Sequence, residues 1–265
     1  MDKEREGKPK GQDAPKDAPR DMETIRQGLR EEVDRLKDLY RELRESVAQG
    51  REGAARPALG ERWQDQIIFD EIPEGSFVLD LGCGNGELLS RLMAQKAVFG
   101  QGVELDPEAA LNAMDKGVPV LNADMAEVLR DYGDQSFDYV ILESTLQTMK
   151  RPVAALKQIL RVGKWGIVTF PSFGHWKVWL DLTARGRMPV TSRLPYQWYD
   201  TPNIHLFTLD DFMDFCRGSG IVAEKAFCLS EGGIQSLSLD PSRKDFQEET
   251  LFQVEEAILF LTKAD

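Results

Sequence analysis

Apolar residues recur along this chain in two different rhythms. Between Asp21 and about Gln49, Leu29, Val33, Leu36, Tyr40, Leu43 and Val47 fall at alternating spacings of four and three, with Glu, Arg, Lys and Asp between them. That spacing lays one narrow apolar stripe along a helix, the geometry of a coiled-coil seam, and residues 21–55 are expected to form a helical extension. Two readings of the stripe stand level: association through residues 25–47, as a homodimer or onto a partner, and a solvated helix packed on its own domain. Residues 1–20 carry almost no large apolar side chain, so burial cannot offset their ordering entropy, and a disordered charged tail is predicted there. Gly50, Gly53 and Pro57 then break the helix and predict a hinge.

From residue 60 onward, short apolar runs alternate with helical patterns. Strands are predicted over 76–81, 98–105, 118–122, 137–142, 164–170, 221–227 and 257–262. Helices are predicted over 87–95, 107–116 and 152–160, with a further one capped by Thr208 and running to Cys216. Strands separated by helical crossovers call for a mainly parallel sheet covered on both faces, so residues 60–265 are expected to form one Rossmann-like α/β domain.

The chemistry concentrates at the first strand–helix junction, Val78-Leu79-Asp80-Leu81-Gly82-Cys83-Gly84-Asn85-Gly86-Glu87. A buried strand ends in a carboxylate, and three alternating glycines lead into a helix whose first N–H groups are free. Dinucleotide loops read G-x-G-x-x-G, which would require Gly at the position of Glu87 and disfavours a nicotinamide oxidoreductase. The order D-x-G-x-G-x-G, with Asp80 and Glu87 read as negative flanks, suits instead a ligand carrying an ammonium and a sulfonium. S-adenosylmethionine is such a ligand. Glu104 ends the second strand about twenty residues past the loop, where a carboxylate reaches ribose hydroxyls. Asp124 follows the third strand, placed to accept from an exocyclic adenine amine. With Cys83 in the loop, Leu105 and Met125 beside these acids and Glu143 after the fourth strand, the expected cofactor set is Asp80, Gly82, Cys83, Gly84, Gly86, Glu104, Leu105, Asp124, Met125 and Glu143.

Composition narrows the partners. The net charge of −12 repels phosphate backbones, and no basic patch at the loop overrides it, so nucleic acid is not expected. Cys83, Cys216 and Cys228 are too scattered for a disulfide framework or a CxxC site; with His175 and His205 the only histidines, no metal is expected. No apolar run approaches the ~20 residues that span a bilayer. Met1 to Glu6 lead into no apolar signal segment, which points to the cytoplasm.

The junction, with Gly102-Val103-Glu104-Leu105-Asp106-Pro107-Glu108 and Asn122-Ala123-Asp124, resembles class I S-adenosylmethionine-dependent methyltransferases. Phe170-Pro171-Ser172-Phe173-Gly174-His175-Trp176, Gly186 to Thr191, Leu194-Pro195-Tyr196 and Trp198 to Leu206 narrow this to a resemblance to the methionine biosynthesis protein MetW family, over roughly residues 65 to 263. The resemblance implies a seven-stranded sheet with an antiparallel last strand. It also implies a role beside homoserine O-acetyltransferase or O-succinyltransferase. Whether methyl transfer occurs is left open, and a stand-alone small-molecule methyltransferase is the alternative. Ser172 departs from the Asn of the family's block.

The segment between the fifth strand and Thr208 is expected to lie over the carboxyl edge of the sheet. His205 is a candidate base and Tyr199 or Tyr196 a candidate for orienting a substrate, against local structural roles for both histidines; Arg187 is a candidate partner for a substrate carboxylate.

Overall fold

A computed structural model of the chain describes residues 62–239 and 252–264, together with helical positions Thr24, Gln27, Gly28, Glu31, Asp34, Arg35 and Asp38. By its contacts the chain divides into two compact units, residues 1–48 and 49–265. In the first, the described positions are helical and exposed, and Gln27 donates to Glu31 one turn on. The predicted apolar seam, the tail over 1–20 and the hinge lie outside the described residues.

The second unit begins with α1 (Trp63–Glu71). Then follow β1 (Phe77–Leu81), α2 (Glu87–Lys96), β2 (Phe99–Glu104), α3 (Pro107–Asp115), β3 (Val120–Asn122), α4 (Met125–Asp131) and β4 (Phe137–Leu142). A single 3-10 turn (Leu146–Thr148), α5 (Pro152–Val162), β5 (Gly163–Pro171), α6 (Trp176–Arg185), α7 (Leu209–Ser219), β6 (Ile221–Ser230), β7 (Gly233–Leu237) and β8 (Val254–Lys263) complete it. The described strands form one sheet in the order β3-β2-β1-β4-β5-β8-β6-β7. β1 to β5 pair in parallel, whereas β8 runs antiparallel to both β5 and β6.

Strand alternation sorts the core into two layers and decides where the acids point. Leu79, Leu81, Val140, Leu142, Val168 and Phe170 pack with α4, α5 and α7 on one face. Val78, Ile141, Ile167, Ile258 and Phe260 pack with α1, α2 and α3 on the other. Asp80 shares the parity of Val78, and Glu143 that of Ile141. Both carboxylates therefore project from neighbouring strands toward the face that carries α1.

Besides the 3-10 turn, four elements were not anticipated. α1 buries Trp63, Gln64 and Ile68, and a buried glutamine blurs its apolar period. α4 has a single fully buried side chain, Leu129; its start signal was Asp124, read only as a ligand group. α6 lies inside the segment between the fifth strand and Thr208, where no helix was predicted, bounded by His175 at its N-cap and Gly186 in the left-handed region at its end (φ 61°). β7 adds an eighth strand to the seven that the resemblance implies: Ser230 pairs with Gly233, closing a tight hairpin on β6. Thr208 caps α7 as expected, in a reciprocal capping box with Asp211. Thr208→Ala is expected to cost about 1 kcal/mol, read as a lower urea midpoint at unchanged slope.

Candidate cofactor site

Gly82, Gly84 and Gly86 hold φ of 77°, 53° and 71°, a left-handed conformation that side chains disfavour. Their surroundings divide them by role. A Cβ on Gly84 would meet nothing within 4 Å, so the backbone there is open to a ligand. A Cβ on Gly86 would stand 2.7 Å from the Ala113 Cβ, so this glycine lets α2 approach α3. Cys83 is buried beneath the loop, where a Cβ on Gly102 would come within 2.5 Å of its Sγ. The Glu104 carboxylate ties the loop to β2, accepting from the Gly84 N–H and the Asp106 N–H at 2.8 Å each.

Beside the loop opens a cavity of about 940 Å³, lined among others by Gly82, Glu104, Leu105, Asp124, Met125 and Thr145. Half of the predicted cofactor set thus meets in one space. Leu105 is 67% exposed at its rim, a bare apolar surface. Asp124 caps α4 by accepting from the Ala126 N–H at 2.7 Å, which fixes its carboxylate against the cavity.

Asp80 and Glu143 lie on the α1 side, away from that lining. Asp80 is buried and accepts no hydrogen bond among the described residues; burial, opposed by Arg62, pushes its carboxyl up to about 7. Glu143 is also buried, and burial raises it to about 8 although the Arg62 guanidinium donates to it. Ser144, next along the chain, has φ 45°; its N–H donates to the Thr169 Oγ1 (2.9 Å) at the end of β5. Such strain at a strand end is characteristic of ligand sites.

Two expectations about charge need correction. Asp80 is not a plain negative flank, because desolvation pushes its carboxyl up to about 7 and leaves it only about half ionised near neutral pH. Glu87 does not serve the loop: Lys116, at the C-cap of α3, donates to it at 2.6 Å and also to the Asn85 carbonyl. That pair holds Glu87 below the usual carboxylate range.

The aromatic segment is pinned to the carboxyl edge of the sheet. The Ile204 and His205 N–H groups donate to the Gln147 carbonyl after β4. Arg193 pairs with Glu256, which also accepts from Trp63 Nε1 and Gln64 Nε2 of α1. His205 lines a separate cavity of about 310 Å³ with Leu146, Phe207, Asp211 and Phe215, sharing no residue with the loop cavity. Tyr199 is 70% exposed, and Tyr196 and Arg187 also face outward. His175 is buried at the start of α6, its Nδ1 accepting from the Lys177 N–H. Burial drives it down to about 4, so it is a neutral capping group. Arg62 escaped the sequence reading; its only signal is a basic residue with an acid three positions on, which is too common to single out.

The described residues contain no grouping of three or more metal-ligating side chains, and none of their helices is long and apolar enough to cross a membrane. The three cysteines are free and buried.

This sheet order, with a glycine loop after β1 and an acid ending β2, defines the class I S-adenosylmethionine-dependent methyltransferase fold. A solved S-adenosylmethionine-dependent methyltransferase from Thermotoga maritima superposes with a TM-score of 0.52 at 21% identity, covering 76% of this chain and 87% of that one. The [4+2]-cyclase SpnF matches with a TM-score of 0.52 at 19% identity, over 88% and 95%. Residues 62–254 match the model of the methionine biosynthesis protein MetW, and the chain belongs to that family. A relative named bifunctional methionine biosynthesis protein MetXA/MetW, from Rhodopirellula baltica, is 34% identical over 61% of this chain and 27% of its own length. The chain spans about a quarter of the length of the curated relatives it first matches.

Proposed function

We propose that the chain binds S-adenosylmethionine along the edge running from Asp80 through the glycine loop to Asp124, and serves methionine biosynthesis beside a homoserine O-acyltransferase. The observation that carries the cofactor is Asp80, a buried carboxylate with no hydrogen-bond donor among the described residues, at the root of an open glycine loop. Burying such a group is costly unless a cation or donor completes it. Asp80 and Glu143 would take the methionine ammonium, Gly82 and Gly84 would allow close approach, and Glu104 would take the ribose. Asp124, Met125 and Leu105 would flank the adenine. When bound, this cofactor supplies an electrophilic methyl group on a sulfonium; the protein's share is to align an acceptor with it and exclude water.

The acyltransferase is favoured by the Rhodopirellula relative, whose single name joins MetXA to MetW. Cofactor binding would then let the chain report pathway output to that enzyme. The SpnF match cautions against equating fold with methyl transfer, because SpnF is named as a cyclase. The second reading, a stand-alone small-molecule methyltransferase, rests on the class of the fold. Mixing the chain with a homoserine acyltransferase, with and without S-adenosylmethionine, tests both. A complex on size exclusion and a cofactor-dependent change in acylation rate are expected. Methyl turnover in a cell extract with no complex at micromolar concentration would leave the second reading standing.

A further inference from the structure

Arg62 opens α1 and reaches into the acid side of the site. Its Nη2 donates to the Glu143 carboxylate, and its Nε lies 3.2 Å from Asp65 Oδ1. The Arg62 side chain remains 56% exposed, whereas that of Glu143 is only 6% exposed. A guanidinium presents five N–H donors in a rigid plane. With one edge turned to Asp65 and Glu143, it retains donors for an anion.

Asp80 completes the pattern: it feels the charge of Arg62, yet it accepts no hydrogen bond among the described residues. The cluster therefore presents an acceptor needing a cation next to a donor fork suited to a carboxylate. A zwitterionic α-amino acid head offers both charges within one short span. A simple cation would leave the fork unused, and a simple anion would meet Asp80 and Glu143 unfavourably. α1 is held firmly enough to aim the fork, because Trp63 and Gln64, the next two residues, both donate to the buried Glu256 of β8.

We propose that Arg62 anchors the carboxylate of the cofactor's methionine tail, while Asp80 and Glu143 take its ammonium. This rests on the cofactor reading above and adds a discrimination between whole and decarboxylated forms of the ligand. Decarboxylated S-adenosylmethionine keeps the sulfonium and the ammonium and lacks only the anion that Arg62 would hold.

Calorimetry with both ligands on the full chain tests the assignment. The unaltered protein is expected to prefer the whole ligand by about 30-fold, the scale of a charge-assisted bidentate pair. Arg62→Ala should reduce that preference to less than about threefold by weakening only the carboxylated ligand. Arg62→Lys should keep part of it. An equal loss for both ligands, or an unchanged preference, would overturn the assignment and leave Arg62 as a brace for Glu143. If the unaltered protein binds neither ligand, the cofactor reading itself fails, an outcome distinct from failure of the Arg62 assignment.

Discussion

Asp80→Asn is expected to lower S-adenosylmethionine affinity by about 100-fold while making the empty protein more resistant to heat at pH 8. Both effects follow from one buried carboxylate. In the empty protein Asp80 and Glu143 lie at about 7 and about 8, each raised by burial. Unfolded, such groups titrate near 4. Between about pH 4 and pH 8 the folded chain therefore holds more protons than the unfolded one. The stability these groups confer is complete below about pH 4 and is lost as pH rises toward 8. Asparagine cannot ionise, so the variant escapes that loss, by about 2 kcal/mol at pH 8. Ligand binding follows the opposite sign. A cation favours the ionised acids, so its arrival expels protons, and affinity should climb from pH 6 to above pH 8 and then level off. Calorimetry in buffers of different ionisation enthalpy would register the released protons. Affinity that falls as pH rises, or an Asp80→Asn protein that binds normally, would sink this account.

The second large effect lies in the glycines, where substitution should separate folding from binding. Gly86→Ala forces a side chain into the left-handed region and drives its Cβ to 2.7 Å from Ala113, with Val118 Cγ2 at 3.2 Å. Backbone strain and overpacking together should cost about 3 kcal/mol. Gly84→Ala meets only the backbone penalty, about 1 kcal/mol, since its Cβ enters open space. That open space is where the ligand would approach, so Gly84→Ala should weaken binding at least tenfold on a nearly normal fold, a loss of about 1.4 kcal/mol. Urea midpoints and calorimetry on the two variants would show the contrast. If Gly86→Ala unfolds no more easily than Gly84→Ala, the division of roles is wrong.

What could be read from the residues alone was whatever has a local cause. Alternating glycines after a strand demand left-handed backbone wherever they occur, so the loop was legible; so was Thr208, because a capping box lies within four residues. The sheet's parallel half followed from apolar runs buried on both faces. The misses have non-local causes. α1 carries little apolar period, since it is held by hydrogen bonds from Trp63 and Gln64 to Glu256, a residue nearly two hundred positions away. Arg62 matters only because alternation along β1 and β4 turns Asp80 and Glu143 toward it. Lys116 quenches Glu87 across a helix–helix gap that no spacing rule reveals. His205 shows the reverse case: chemically suggestive in the sequence, it sits in an apolar cavity apart from the loop.

β8 follows every other described strand in chain order, yet it lies between β5 and β6. While the protein is being synthesised, the parallel half can assemble early, but the hairpin of β6 and β7 has no seat on it until residues 254–263 emerge. β5 meanwhile waits with one side unpaired, a bare edge open to strands of other molecules. Variants lacking residues 254–263 should therefore leave the edge of β5 unpaired and favour aggregation.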